Sequence, residues 1–119
     1  MIVRWTVLAF SAVLLVVGIV PLVNPTPGAT SVAPAYAIFH LIAAAVGLFC
    51  VAFNRGVWAP VFAVGFGLID LYQAVASALD WFPKEHFRWT SVDDNLHWAL
   101  GLVLIVLGGV DWFFRRKRT

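Results

Sequence analysis

The sequence predicts an all-α integral membrane protein, a bundle of four antiparallel transmembrane helices with both termini in the cytoplasm. Hydrophobic residues make up 62% of the 119 residues and charged residues only 12%, and the mean hydropathy is +0.92. A soluble domain is about one quarter charged, so a soluble fold of this size could not bury so much apolar surface. The apolar residues are also grouped into segments of membrane-spanning length, and the basic residues collect on one side of them.

A helix needs about 20 apolar residues to cross a hydrocarbon core of about 30 Å. Four segments have this length: residues 2–23, 34–53, 57–79 and 96–114. Between them, the composition predicts a Pro/Gly/Ser/Thr-rich loop at 24–33, a tight turn at 54–56 and an outer loop at 80–95. The chain therefore forms one transmembrane domain, residues 1–119, which ends in a basic cytoplasmic tail at 115–119.

The distribution of the basic residues predicts the orientation. Lys84 and Arg88 lie on one side of the four spans. The other basic residues lie on the opposite side: Arg4, Arg55, Arg115, Arg116, Lys117 and Arg118. The positive-inside rule places this larger group in the cytoplasm, and the tryptophans at the helix ends are typical of an aromatic belt at the two interfaces. We expect a multi-pass protein of the inner (cytoplasmic) membrane of a bacterium.

The basic run at the end of the chain predicts a membrane anchor, formed by Arg115, Arg116, Lys117 and Arg118. Each cation near anionic headgroups contributes about 1 kcal/mol of attraction. Because orientation in the membrane already explains this run, nucleic acid is not an expected partner. The expected partners are the lipid bilayer and either other membrane protein subunits or a second copy of the chain.

Two histidines enter the membrane from the predicted outer side at similar depths, His40 in the second span and His97 in the fourth. Small residues follow them on the same helix faces: Ala43, Ala44, Gly47 and Gly101. This pattern is typical of a haem b held by two axial imidazoles, with Lys84 and Arg88 available to receive the propionates. The alternative interpretation is close helix packing, with the imidazoles hydrogen-bonded across helices.

A polar stripe runs along the third span, where Asp70, Gln73 and Ser77 lie at positions i, i+3 and i+7 of one helix face. Lipid offers no hydrogen-bond partners, so this stripe must face protein or water. Ionisable residues at membrane depth are candidates for function by default. One interpretation is proton or cation translocation through Asp70. The other is a neutral or paired Asp70 that ties helices together.

The stretch "SVDDNLHWALG", residues 91–101, combines polar groups with the start of an apolar helix. Ser91 and Asp94 have the spacing of a capping box, and acidic residues favour the positive end of a helix dipole. The sequence therefore explains Asp93 and Asp94 as a helix start. Capping does not explain His97.

Two short motifs carry a resemblance to a known family. A His40-Leu41 pair leads into a face of small residues, and "DNLHWALG", residues 94–101, opens the last helix. Across roughly residues 35–109 the chain resembles a bacterial family of small four-helix integral membrane proteins that is catalogued only as a domain of unknown function. The family's N-x-x-H pattern is not matched at His40, where Ala37 stands three positions earlier. The resemblance implies the fold and no chemistry.

No catalytic motif accompanies these features: the sequence holds no phosphate loop, dinucleotide-binding glycine pattern, HExxH motif or nucleophile elbow. The single cysteine, Cys50, gives no basis for a disulfide or a cysteine-rich metal site. We therefore expect a non-enzymatic protein with neither cofactor nor metal. It would act by helix association, either as a small accessory or structural subunit of a membrane complex or as a homo-oligomer. The alternatives are a bis-histidine b-type cytochrome that transfers electrons and a protein that translocates protons or cations.

Overall fold

The computed structural model of this protein describes residues 2–26 and 28–118, which form helices and connecting segments without a strand. The helices of this part of the chain are α1 (Ile2–Val23), α2 (Pro34–Ala52), α3 (Ala59–Leu79), α4 (Lys84–Phe87) and α5 (Ser91–Arg118). All except the short α4 are long and apolar enough to cross a membrane. The described residues thus have the all-α architecture that the sequence predicts, with four helices long and apolar enough to cross a membrane.

The last helix is longer at both ends than the predicted span at residues 96–114. It begins at Ser91 and continues through the predicted tail to Arg118. The connection predicted at residues 80–95 is correspondingly shorter and contains α4. The basic residues of the predicted anchor therefore extend the helix instead of forming a separate tail. Thr119 and the side chain of Arg118 lie outside the described part of the chain.

The first turn of α5 is closed by a capping box between Thr90 and Asp93. Asp93 N donates to Thr90 Oγ1 over 3.2 Å, and Thr90 N donates to Asp93 Oδ2 over 2.9 Å. The prediction of this box at Ser91 and Asp94 is wrong by one residue. Ser91 is already the first residue of the helix, so Thr90 occupies the cap position and pairs with the residue three positions later.

The long helices pack as two pairs, α1 on α2 and α3 on α5, with fewer contacts between the pairs. Glycines allow the closest approaches: a Cβ at Gly67 would lie 2.8 Å from Gly101 O, and one at Gly18 would lie 3.0 Å from Ala37 O. Small residues let helix backbones approach in this way where lipid provides no hydrophobic driving force. The interior small residues thus serve helix packing.

The two ends of the bundle differ in chemistry. At the basic end, Arg4 Nε donates to Val51 O over 3.1 Å, beside the turn Phe53–Gly56. The interior on this side is apolar and includes Val3, Val7, Ala44, Val51, Ala59, Phe62, Ala63 and Leu104. At the loop end, the segment before α2 meets α4 and the start of α5, where Ser31 Oγ donates to Phe87 O and Thr90 Oγ1 to Ala29 O. The polar side chains predicted as candidates lie toward this loop end.

Candidate functional site

A small cavity toward the loop end brings together the ionisable residues that the sequence singles out. Its volume is about 50 Å³. The polar residues around it are Thr30, Tyr36, His40, Asp70, Asp93 and His97. An apolar wall comes from α1, which contributes Phe10 and Leu14 among others. His40, His97 and Asp70, predicted as separate candidates, therefore belong to one site, which we call the loop-end cavity.

Asp93 is the most fully hydrogen-bonded side chain of the loop-end cavity and is only 1% exposed. Its Oδ1 accepts from Tyr36 Oη over 2.6 Å. Its Oδ2 accepts from Ser31 N over 2.9 Å and from Thr90 N over 2.9 Å, and Thr90 Oγ1 lies 3.0 Å away. This carboxylate joins the segment before α2, the first turn of α2 and the start of α5. The sequence explains Asp93 only as part of a helix start and misses its role between helices.

His40 lies against Tyr36, with ring centroids 4.0 Å apart. Its Nδ1 is 2.7 Å from Tyr36 O, the carbonyl one turn earlier in α2. A carbonyl oxygen can only accept, so Nδ1 carries the proton in this contact. In a neutral imidazole this leaves Nε2 as the acceptor.

Asp70 and His97 are almost completely buried, with 3% and 5% of their surfaces exposed. Among the described residues, Asp70 Oδ2 and His97 Nδ1 have no hydrogen-bond partner. Asp70 Oδ1 has one long contact, 3.5 Å from Gln73 Nε2. Buried polar atoms are nearly always hydrogen-bonded to protein or water, so these two atoms mark where the site can take up a partner.

The polar stripe of α3 faces the bundle interior, as predicted, because Gln73 and Ser77 are buried with Asp70. Gln73 Oε1 accepts from Trp89 Nε1 over 3.2 Å, and the Trp89 ring stands edge-on to His97 with centroids 6.0 Å apart. Gln73 thus links Asp70 to an aromatic ring that contacts His97. The sequence places Trp89 at the membrane interface and gives no signal for this contact.

The loop-end cavity is large enough for water and too small for a macrocycle. A water molecule occupies about 30 Å³ in the liquid, whereas sites for drug-sized ligands begin at roughly 300 Å³, and a haem is larger than such a ligand. The small residues expected to make room for a haem are filled by packing: a Cβ at Gly101 would meet Gly67 O at 2.9 Å, and one at Gly47 would meet Ser11 and Phe62. The site does not fit a haem.

The predicted propionate partners also lie away from the histidines. Lys84 Nζ is paired with Asp80 and donates to Ser77 O over 2.7 Å. Arg88 is exposed and follows α4 with a positive φ of 48°. Neither of them lines the loop-end cavity. Within the described residues, no group of three or more His, Cys, Asp or Glu side chains is arranged to hold a metal ion.

Comparisons of the chain with protein-family models, with curated proteins and with solved structures found no match.

Proposed function

We propose that this chain is a non-enzymatic protein of the bacterial inner membrane whose loop-end cavity binds and releases a proton from the outer side. Its helices form an antiparallel bundle with both termini in the cytoplasm. Contacts between α1 and α2 support this arrangement, because Arg4 meets Val51 whereas Gly18, later in α1, meets Leu41, earlier in α2. The basic residues of the turn and of α5 then lie together on the cytoplasmic side, as the positive-inside rule requires.

The observation that carries the proposal is the pair of unpartnered, buried, titratable atoms on one cavity, Asp70 Oδ2 and His97 Nδ1. Desolvating a charged or polar group without a partner is expensive, especially at membrane depth. A proton shared by Asp70 and His97 through cavity water would satisfy both atoms. The fully bonded Asp93 and the Tyr36–His40 contact would hold the surrounding groups in place.

The apolar interior toward the basic end favours binding over translocation. Val7, Ala44, Phe62 and Leu104 lie in this region and offer no group that accepts or donates a proton. A transporter builds its site from discontinuous helices and gives it access from both sides in turn. The polar residues Thr30, Asp93 and Thr90, in the described part of the chain, lie in or next to the cavity on its loop-end side.

Infrared difference spectroscopy during an acid titration tests the proposal on the full chain in lipid nanodiscs. We expect one carboxyl C=O band of a buried acid to appear as the pH falls, and to be absent from Asp70→Asn. The matched control is Asp111→Asn, since Asp111 is paired with Arg115 over 2.8 Å. It should keep the band.

Two results would contradict proton binding at the cavity: a spectrum without any titrating buried carboxyl, or a band that persists unchanged in a folded Asp70→Asn protein. A flux assay separates binding from translocation. Liposomes that contain the protein should collapse a pH gradient no faster than empty liposomes.

A second candidate function, self-association, is favoured by a groove of about 290 Å³ between α2 and α3. The groove is lined by apolar residues such as Ile42 and Val46 and by Gly65. A glycine inside a helix is about 1 kcal/mol less favourable than alanine, and a Cβ at Gly65 would meet no atom of the chain within 4 Å. An external helix in this groove would give Gly65 a packing role of the kind that interior glycines have in this bundle.

The association of the purified protein in mild detergent tests this second function. Wild-type protein should form an oligomer by light scattering, and Gly65→Leu should weaken association about tenfold, because a side chain in a packed contact costs about 1–3 kcal/mol. Gly109→Leu is the control, since Gly109 is an exposed helix glycine that also has no neighbouring atom within 4 Å. A wild-type protein that stays monomeric, or a Gly65→Leu protein that associates like wild type, would rule out this interface.

A further inference from the structure

The loop-end cavity is buried, so a proton that binds there needs a route from the outer solution. Asp70 and His97 are only 3% and 5% exposed. His97 follows Asp94 by three positions and Asp93 by four in α5, so the three side chains share one helix face. Helical side chains also lean toward the N-terminal end of their helix, which brings the His97 ring toward the turn that holds the two carboxylates. These two carboxylates are therefore the candidates for carrying a proton to His97.

Hydrogen bonds already occupy both carboxylate oxygens of Asp93. Its Oδ1 accepts from Tyr36 Oη, and its Oδ2 accepts from Ser31 N and Thr90 N. A protonated carboxyl group donates from one of its oxygens, and on either oxygen of Asp93 the new proton would meet another donor. Proton transfer through Asp93 would thus break contacts that join the helices, so Asp93 is a structural carboxylate.

Asp94 has a free oxygen and access to the surface. Its Oδ1 is buried and has no hydrogen-bond partner among the described residues. The residue as a whole is half-buried, so its carboxyl group lies between the protein interior and the outer surface. His97 Nδ1 is the next unpartnered buried atom along α5. Asp94 is also near enough for its charge to act on the His97 ring.

The titratable groups around His97 come from three helices. Asp93 and Asp94 lie before it in α5, His40 faces it from α2, and Asp70 faces it from α3. The residues that α1 contributes to the cavity are apolar. Among these groups, Asp94 is the half-buried one, whereas the others are buried. The exchange of protons with the outer solution is therefore expected at Asp94.

We infer that Asp94 carries protons between the outer solution and His97, an inference that rests on the proposed proton site. The Asp94 carboxylate takes a proton from a hydronium ion at the outer surface and leaves water behind. The new O–H group then donates to His97 Nδ1, where an N–H bond forms as the O–H bond breaks, and the carboxylate is restored. Release follows the same steps in reverse. His97 and Asp70 hold the proton at equilibrium, and Asp94 determines how fast it arrives.

Time-resolved infrared spectroscopy of the full chain in lipid nanodiscs, after a light-triggered release of protons, tests this route. In Asp94→Asn the Asp70 carboxyl band should still reach its full amplitude, because Asp70 is unchanged. It should appear about 100-fold more slowly than in wild-type protein, the lower end of what a positioned acid or base contributes to proton transfer. Asp94→Glu keeps a carboxyl group at this position and should recover most of the rate.

Glu85→Gln is the matched control, since Glu85 is an exposed acid of α4 at the same end of the bundle and does not line the cavity. It should leave the rate unchanged. Formate provides a second measurement that a purely structural role of Asp94 would not affect. A small carboxylic acid in solution should accelerate the band in Asp94→Ala, where the missing side chain leaves room for it, and should not accelerate it in wild-type protein.

The outcomes separate this inference from the proposed function. A wild-type protein without any titrating buried carboxyl would end both. A wild-type band that appears at the same rate in Asp94→Asn would overturn the route through Asp94 and leave the proton site in place. Equal slowing by Asp94→Asn and Glu85→Gln, or an Asp94→Ala rate that formate does not change, would also overturn the route. Circular dichroism confirms that the variants compared are folded.

Discussion

Asp93→Ala is expected to lower the free energy of unfolding by about 3–5 kcal/mol, because three donors lose one charged acceptor together. The carboxylate accepts from Tyr36 Oη, Ser31 N and Thr90 N, and all three donors lose their partner together. Each buried donor left unpaired costs about 1–3 kcal/mol. Unfolding in a denaturing detergent, followed by circular dichroism, measures the change.

Asp94→Ala is the matched control for Asp93→Ala. Asp94 is adjacent in α5 and also acidic, but among the described residues its Oδ1 has no hydrogen-bond partner. We expect its replacement to change the free energy of unfolding by about 0.5 kcal/mol or less, as for substitutions away from packed or bonded features. If both variants lose a similar free energy of unfolding, the two carboxylates stabilise the protein through the helix dipole and not through the hydrogen bonds of Asp93.

A substitution of Tyr36 distinguishes the contribution of the hydrogen bonds that Asp93 makes between helices from the contribution of its capping of α5. Tyr36→Phe removes one hydrogen bond to the carboxylate and leaves the cap at Thr90 intact, so we expect a loss of about 1.5–3 kcal/mol, the contribution of a hydrogen bond to a charged group. It also leaves the Tyr36 carbonyl that contacts His40 unchanged. A loss as large as that of Asp93→Ala would show that the hydroxyl alone holds the loop end together.

The spans and the depth of the polar residues could be predicted because each depends on residues close in sequence. The length and hydropathy of an apolar segment do not depend on what it packs against. Asp70, Gln73 and Ser77 lie on one face because of the helical period alone. His40 and His97 could be placed at similar depths by counting from helix ends. These local properties identified three of the ionisable residues on the loop-end cavity.

The chemistry of the cavity could not be predicted, because it depends on contacts between distant segments. Asp93 bonds to Ser31 and Tyr36, which lie 62 and 57 positions away in the sequence. Nothing in the loop at residues 24–33 indicates that one of its backbone N–H groups meets a carboxylate. An acidic residue at this position is already expected at a helix start, so the sequence gives no sign that Asp93 also bonds to other segments.

The haem interpretation depended on space that only packing decides. Small residues near two histidines are expected both beside a bound haem and at a close contact between helices, so the sequence alone does not distinguish the two. The structure distinguishes them, because the backbone of Gly67 occupies the place beside Gly101. The same contact ties α3 to α5, the pair on which Asp70 and His97 lie.

Gly108→Leu is expected to destabilise the protein by about 3 kcal/mol or to separate α3 from α5. A Cβ at Gly108 would lie 2.9 Å from Pro60 O and 3.0 Å from Ala63 Cβ. Overpacking of a core usually costs about 1–3 kcal/mol, and a backbone carbonyl cannot rotate away as a side chain can. Thermal unfolding in detergent, with circular dichroism as the readout, measures the loss.

Gly109→Leu provides the comparison at the adjacent position of α5, where a Cβ would meet no atom within 4 Å. The only expected effect is the gain in helix propensity, about 1 kcal/mol in favour of the variant. Leucine at Gly108 should therefore lower the stability of the protein, whereas leucine at the adjacent Gly109 should raise it. If Gly109→Leu is as destabilising as Gly108→Leu, the face of α5 that carries Gly109 is itself packed in the purified protein, against a second copy of the chain.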